Sequence, residues 1–279
     1  YLFIMNIKDQ IKLLDQIKDL KQNINYETYS LAELQSLPAF NGICKFKFKN
    51  YVFYMINILN DDAVALKYLW KDKYEQMSLS LWYEITRDDG YYFDVGAHTG
   101  IYSIIGRLNN KRNKIISIEP YFLNYSRLLS NLKINNIHAN NCFLAAASNT
   151  EGFGKFSINT NLDYHSSGGK LSDEGNFSIS KIKIDNFKLE KKIYGIKIDT
   201  EGHEFNVLSG AKNILMKDKP SIIFEVNENS FDSCINLLRP MGYSFKLIDE
   251  NKKKLVEVEK FEKKLLADEG INCYATIKS

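Results

Sequence analysis

One stretch, Phe93-Asp-Val-Gly-Ala-His-Thr-Gly-Ile-Tyr-Ser103, limits what this chain can fold into more than any other, because an apolar strand run ends there in a turn bracketed by two glycines and a helix pattern begins. α/β enzymes hold cofactors at such junctions. Glycine lets the backbone approach a ligand, and the first turn of the helix offers unbonded N–H groups to an anion. The spacing is Gly-x-x-x-Gly with Asp94 just ahead of it, whereas a dinucleotide site reads Gly-x-Gly-x-x-Gly. Glu119 closes the next strand run, Lys114-Ile-Ile-Ser-Ile-Glu119, where an acid can accept both hydroxyls of a ribose. A ribose without a pyrophosphate suggests S-adenosylmethionine as the ligand. The plainer alternative is a strand-turn-helix whose glycines serve packing alone.

Composition excludes several classes. Hydrophobic residues make up 44% and charged residues 25% of the 279, which fits a globular chain with a sizeable core and not a disordered or fibrous one. The net charge of +3 is spread thinly, and the lysine runs at Asn251–Lys254 and Lys260–Lys264 are not interleaved with aromatics, so no nucleic-acid groove is indicated. Cys44, Cys142, Cys234 and Cys273 stand far apart with no Cys-x-x-Cys pair, which reads as free thiols in a reducing compartment, the cytoplasm. No run approaches the roughly 20 apolar residues of a membrane helix. The opening Tyr1-Leu-Phe-Ile ahead of Met5 is too short for a secretory signal and lacks its basic flank.

The pattern along the chain divides it at about residue 85. In the accessory part, 1–85, apolar residues at Ile7, Ile11, Leu14, Ile17, Leu20 and Ile24 form one helical stripe, which docks on the chain's own core or forms the seam of a homodimer. Cys44–Lys49 and Tyr51–Ile56 flank Asn50 as a hairpin, Asp61 or Asp62 caps a helix running to about Trp70, and a second helix carries Leu79, Leu81 and Trp82. In the remainder, 86–279, strands at 91–95, 114–119, 141–147, 194–199 and 221–226 alternate with helices at 99–109, 121–135, 203–217 and 229–239, the signature of a parallel sheet covered on both faces. Strands at 243–248 and 272–277 close the sheet as an antiparallel pair. Residues 153–189 break the rhythm with two strands around a polar loop, Asn161–Gly169, that contains Tyr164 and His165.

Ligands of open α/β sheets sit beyond the carboxyl ends of the strands, so Asp94, Glu119, Asp199 and Glu225 are the acids to inventory. Asp199 opens Asp199-Thr-Glu-Gly-His-Glu204 at the mouth of a helix, where capping explains one acid but not three within six residues. Asp199, Glu225 and Asn227 are also oxygen donors of the kind that hold Mg²⁺, but the spacing alone is not diagnostic, and the metal-free reading ranks above it.

These blocks, together with Ile118-Glu-Pro120, Ala146–Gly152 and Ile222-Ile-Phe-Glu-Val226, occur in the order of the FkbM-family methyltransferases, which the chain resembles over about residues 72–277. The block Lys197-Ile-Asp-Thr-Glu-Gly-His-Glu204 is the most specific. The resemblance implies a seven-stranded, Rossmann-like class I methyltransferase fold with an N-terminal helix and hairpin extension. It implies S-adenosylmethionine as cofactor, S-adenosylhomocysteine as product, and O-methylation of a sugar hydroxyl, nucleotide-linked or bound for a polysaccharide. A polyketide-type acceptor, or a scaffold that binds cofactor without turnover, are the alternatives. Carried over by position, Asp94 faces the methionyl amino group, Gly96, Ala97 and Gly100 line the methionyl backbone, and Glu119 takes the ribose. Pro120 and Tyr121 flank adenine, and Ala146 lies beneath it. His98 stands where the family often has Asn and can still donate to the cofactor's carboxylate. Asp199 is the first choice of base, with Glu201 and His165 as competitors, and Tyr164, Glu225 and Asn227 are the acceptor contacts.

Overall fold

Strand runs rich in β-branched and aromatic residues alternate with amphipathic helices, and the computed structural model, which describes residues 15–22, 25–158, 169–257 and 270–277, assembles them into three sheets. β1 (Gly42–Phe48) and β2 (Tyr51–Asn57) form the expected hairpin. The outer edge of β2 is closed by Asn131 of the helix Phe122–Ile134 and by Asn135 at the end of that helix, whose side-chain oxygens accept from Ile56 and Tyr54 N–H at 2.9 Å each. An exposed strand edge is thereby paired and the hairpin is tied to the main body.

The large sheet takes β3 (Tyr91–Val95), β4 (Lys114–Glu119) and β5 (Cys142–Leu144). A smaller sheet follows from β6 (Ala146–Ala147), β7 (Gly152–Ser157), β8 (Lys170–Leu171) and β9 (Phe177–Ile182). The chain then returns to the large sheet with β10 (Ile193–Ile198), β11 (Ser221–Val226), β12 (Tyr243–Asp249), β13 (Lys254–Glu257) and β14 (Ile271–Ile277). Its order is β13-β12-β14-β11-β10-β3-β4-β5, parallel from β5 to β11, with β14 antiparallel to both of its neighbours. Seven of these strands are those the sequence pattern marks, and β13 is added outside β12. This is a Rossmann-like sheet of the order that the resemblance implies.

Each face of the sheet is covered by its own core. On one side the helices Gln76–Ile85 and Ile101–Asn109 bury Trp82, Leu79 and Ile104 against Tyr92, Ile115 and Ile223, and the hairpin residues Phe46 and Phe53 extend the same cluster. Ile17 is buried in it and Leu20 packs against it, so these two residues of the N-terminal stripe dock on the chain's own core; Ile7, Ile11, Leu14 and Ile24 lie outside the described residues. On the other side the helices Glu204–Ser209, Lys212–Asp218 and Phe231–Leu238 cover Phe93, Ile196, Ile198 and Phe224. Asp62, not Asp61, caps the helix Ala63–Lys71, accepting from Val64 and Ala65 N–H at 2.9 and 3.0 Å, while Asp61 takes Arg127 in a two-toothed pair at 2.8 and 2.9 Å.

Three expectations about elements need correcting. The strand expected at 141–147 divides at Ala145, so that β5 ends the large sheet and β6 begins the small one. The helix expected at 203–217 breaks at Gly210, where a Cβ would stand 2.1 Å from the Ser148 carbonyl oxygen, so the chain passes too close to β6 for a continuous helix. The second of the two strands expected within 153–189, read over Phe177–Ile184, ends at Ile182 and is followed by a 3-10 turn at Ile184–Asn186. All four cysteines are unpaired. Among the described residues no helix is long and apolar enough to cross a membrane.

Candidate active site

The carboxyl ends of β3, β4 and β10 open on a cleft whose empty space, counted out to solvent, is about 1100 Å³. Register places Ser117, Asp94 and Lys197 side by side on three neighbouring strands, pointing to one face. Asp94 is buried and accepts from the Ser103 hydroxyl at 2.5 Å and from the Ser103 N–H, and Ser103 in turn meets the Ser117 hydroxyl at 2.6 Å. Burial is the main reason the Asp94 carboxyl is pushed up to about 6, with Ser103 and Lys197 pulling the other way. The folded chain therefore takes up this proton at higher pH than the unfolded one, and the group's contribution to stability falls as pH rises from the ordinary 3.8 to about 6.

The glycine turn is built by packing. Gly96 has φ 72°, and a Cβ there would lie 1.7 Å from the Asp199 carbonyl oxygen, so the turns after β3 and β10 touch through the missing side chain. Gly100, at φ 98°, precedes the helix Ile101–Asn109 and makes room for Leu128; it does not line the cleft. The N–H groups of Gly96 and Ala97 both donate to the Ile118 carbonyl, at 2.8 and 3.1 Å, and that of His98 donates to Glu119 at 2.8 Å. The turn thus lends the cleft its shape, while its first donors are used internally.

Glu119 holds the second wall. One carboxylate oxygen accepts from His98 N–H and the other from Tyr121 N–H at 2.9 Å, so each keeps lone-pair capacity for a further donor. Its carboxyl is raised above the usual range by burial, against the pull of His98 and of those two N–H groups. Ala97, His98, Pro120, Tyr121 and Ala146 line the cleft around it.

The third wall carries a buried ion pair. Lys197, 1% exposed, donates to Asp199 Oδ2 and to Asn272 Oδ1 at 3.1 Å each, and its ammonium sits 5.1 Å from the Tyr102 ring centre. Burial works against that charge, but Asp199, Glu75 and Glu225 together outweigh it and hold Lys197 above its ordinary value. Asp199, 30% exposed, and Glu201 both line the cleft. Glu225 is pushed up to about 9, first by burial and then by Asp199, with Lys197 pulling the other way. Glu204 closes the turn beneath, accepting from Thr200 N–H at 2.9 Å, Thr200 Oγ1 at 3.0 Å and Gly202 N–H at 3.2 Å.

Ten of the residues marked from sequence therefore meet at one cleft: Asp94, Gly96, Ala97, His98, Glu119, Pro120, Tyr121, Ala146, Asp199 and Glu201. Three do not. Gly100 stands behind the wall. Glu225 lies beside Gly270, where a Cβ would fall 2.7 Å from its Oε1, and is not among the cleft-lining residues. Asn227 forms its own turn, accepting from Asn229 and Ser230 N–H at 2.9 and 3.1 Å, because it precedes the helix Phe231–Leu238. Tyr164 and His165 lie outside the described residues. No group of three or more His, Cys, Asp or Glu among the described residues has metal-holding geometry. Lys197, Tyr74, Tyr102 and His203 also line the cleft and were not marked from sequence. Lys197 alone left a signal, a charge in the middle of the buried run Ile193–Ile198.

Solved structures similar to this one include precorrin-6y C5,15-methyltransferase from Geobacter metallireducens GS-15, at 14% identity and TM-score 0.42 over 73% of this chain and 88% of that one. Methyltransferase FkbM from Methylobacillus flagellatus KT gives 13% and 0.44 over 96% and 60%. A SAM-dependent O-methyltransferase from Thermotoga maritima gives 11% and 0.43 over 81% and 73%. No curated protein matches the chain. The model of the methyltransferase FkbM domain matches residues 94–245, more than half of the sequence and all three walls of the cleft, and the chain belongs to that family of S-adenosylmethionine-dependent methyltransferases.

Proposed function

We propose that the chain is an O-methyltransferase whose acceptor is a hydroxyl of a sugar, nucleotide-activated or a polysaccharide precursor, in the reducing cytoplasm that four unpaired cysteines suit. S-adenosylmethionine supplies, when bound, a methyl group on a cationic sulfonium. The cleft suits it in three respects. Asp94 offers a buried carboxylate to an ammonium, Glu119 keeps lone pairs on both oxygens for a diol, and Pro120, Tyr121 and Ala146 give an apolar flank for a planar base. Gly96 and Ala97 line the cleft along the turn, with Gly100 supporting it from behind, and the His98 side chain is the nearby group for a carboxylate.

The Lys197–Asp199 pair carries the reading. A hydroxyl is a poor nucleophile at neutral pH and gains from a positioned acceptor for its proton. Asp199 presents such a carboxylate at the cleft, and Lys197 fixes it at 3.1 Å. Glu201 shares that wall as the second candidate.

Incubating the protein with S-adenosylmethionine and a panel of nucleotide sugars, read by mass spectrometry, tests the acceptor class. A gain of one methyl on a sugar hydroxyl is expected. Methylation confined to hydroxylated polyketides would replace the sugar by the natural-product class, and cofactor binding with no turnover on either would favour a scaffold.

Cofactor affinity should also depend on pH. An ammonium prefers the ionised form of Asp94, so below about 6 binding must first displace a proton. Calorimetry is expected to show affinity falling by up to about tenfold per pH unit as pH drops below that point, with Asp94→Asn weaker throughout and lacking this limb. An unchanged acidic limb in Asp94→Asn would place the ammonium elsewhere.

A further inference from the structure

Behind Asp199 the cleft rests on a buried polar cluster contributed from both ends of the chain. The helix Gln76–Ile85 begins at Glu75, which sits at φ 37° and ψ 54° in the left-handed region although it is not glycine. A residue in that place ordinarily turns its side chain onto the first N–H groups of its helix. Here Glu250, at the far end of β12, does so instead, accepting from Met77 and Ser78 N–H at 2.8 Å each and from the Ser78 hydroxyl at 2.7 Å. Glu75 is freed to point inward. Its Oε2 accepts from the Tyr102 hydroxyl at 2.5 Å and from Asn272 Nδ2 at 3.2 Å. Both partners also touch Lys197, Asn272 through its Oδ1 at 3.1 Å and Tyr102 through its ring. Tyr74, the residue before, lines the cleft and hydrogen-bonds Glu75.

Backbone strain of this kind persists where its surroundings fix it, and it concentrates at active sites. Glu75, Glu250 and Asn272 all lie outside residues 94–245, so the cluster stands beyond the segment matched to the family. The acids about Lys197 and Asp199 come from several neighbouring elements: Asp94 on β3, Glu225 on β11 and Glu75, with Glu201 and Glu204 after β10 facing Glu225, and Glu250 behind Tyr102.

We propose that Glu75 is a positioning residue for methyl transfer, holding Lys197 through Tyr102 and Asn272 and, through Lys197, keeping the Asp199 carboxylate turned to the acceptor hydroxyl. This rests on the reading of Asp199 given above.

The test is Glu75→Gln, which keeps the shape of the side chain and removes its charge. In cofactor-free protein with ¹³C at lysine Cε, the Lys197 resonance is assigned by its loss in Lys197→Arg. Its titration midpoint should fall by roughly half to one pH unit in Glu75→Gln, since one acid facing the ammonium is gone. Glu250→Ala, which removes the helix cap, should lower the melting temperature and leave that midpoint in place. With an acceptor from the nucleotide-sugar panel, Glu75→Gln should lower kcat by about tenfold to a hundredfold at nearly constant cofactor KM, the cost of a misdirected catalytic group. If Glu75→Gln does not fold, Tyr102→Phe deletes only the hydroxyl that Glu75 receives and is expected to lower kcat at constant cofactor KM in the same way. A folded variant with an unmoved midpoint or an unchanged kcat overturns the proposal. Full turnover by Asp199→Asn would instead sink the reading of Asp199, whereas an inactive Asp199→Asn beside a normal Glu75→Gln would sink the positioning role alone.

Discussion

Gly96→Ala is expected to lower the melting temperature by roughly 6–12 °C and to abolish measurable cofactor binding. The new Cβ would lie 1.7 Å from the Asp199 carbonyl oxygen, which is backbone and cannot swing aside, and the φ of 72° disfavours any side chain. Strain and overpacking each cost about 1–3 kcal/mol, so a total near 3 kcal/mol follows, and each kcal/mol moves the midpoint of a domain this size by about 2–4 °C. Gly202→Ala is the control: its φ is 96°, yet a Cβ there meets nothing within 4 Å, so only the strain remains. Differential scanning calorimetry of both variants separates the two contributions. Equal shifts would mean that the turns after β3 and β10 do not need their close approach.

Asp199→Asn is expected to lower kcat by about 10²–10⁴-fold, the range of a lost proton acceptor, while S-adenosylmethionine affinity changes by no more than about twofold. Stability should suffer little. Removing the Asp199 charge takes away one of the groups that raise Glu225, so the carboxyl of Glu225 moves toward its ordinary range while burial still opposes its charge. The variant keeps Asn272 and Glu75 about Lys197 but loses the carboxylate at the cleft wall. Steady-state rates on the acceptor from the nucleotide-sugar panel check this, and wild-type turnover would move the proton acceptor to Glu201 or His165.

Much of this architecture was legible in the chain because its signals are local. The apolar runs of β3, β4, β10 and β11 are buried on both faces, so they read as unbroken strands, and Asp94, Glu119 and Asp199 mark their carboxyl ends without any knowledge of pairing. The misses arise from contacts between distant segments. Gly210 breaks a helix because Ser148 passes beside it, and the change of sheet at Ala145 depends on β6 finding β9. The glycines of the first turn showed where the turn is but not what occupies the space they leave, since Asp199 and Leu128 lie far along the chain. Asn227 carried the residue type of an acceptor contact, yet it caps its own turn. Glu75 gave no signal at all, because its partner Asn272 is 197 residues away.

Isothermal titration of S-adenosylmethionine into the wild-type protein and Glu119→Ala, with circular dichroism to confirm folding, reaches the foundation most directly. Saturable binding is expected for the wild type, and a loss of roughly a hundredfold for the variant, the worth of two hydrogen bonds to a charged group. A wild type that binds nothing, or a folded Glu119→Ala that binds as tightly as the parent, would contradict a ribose seated at the end of β4.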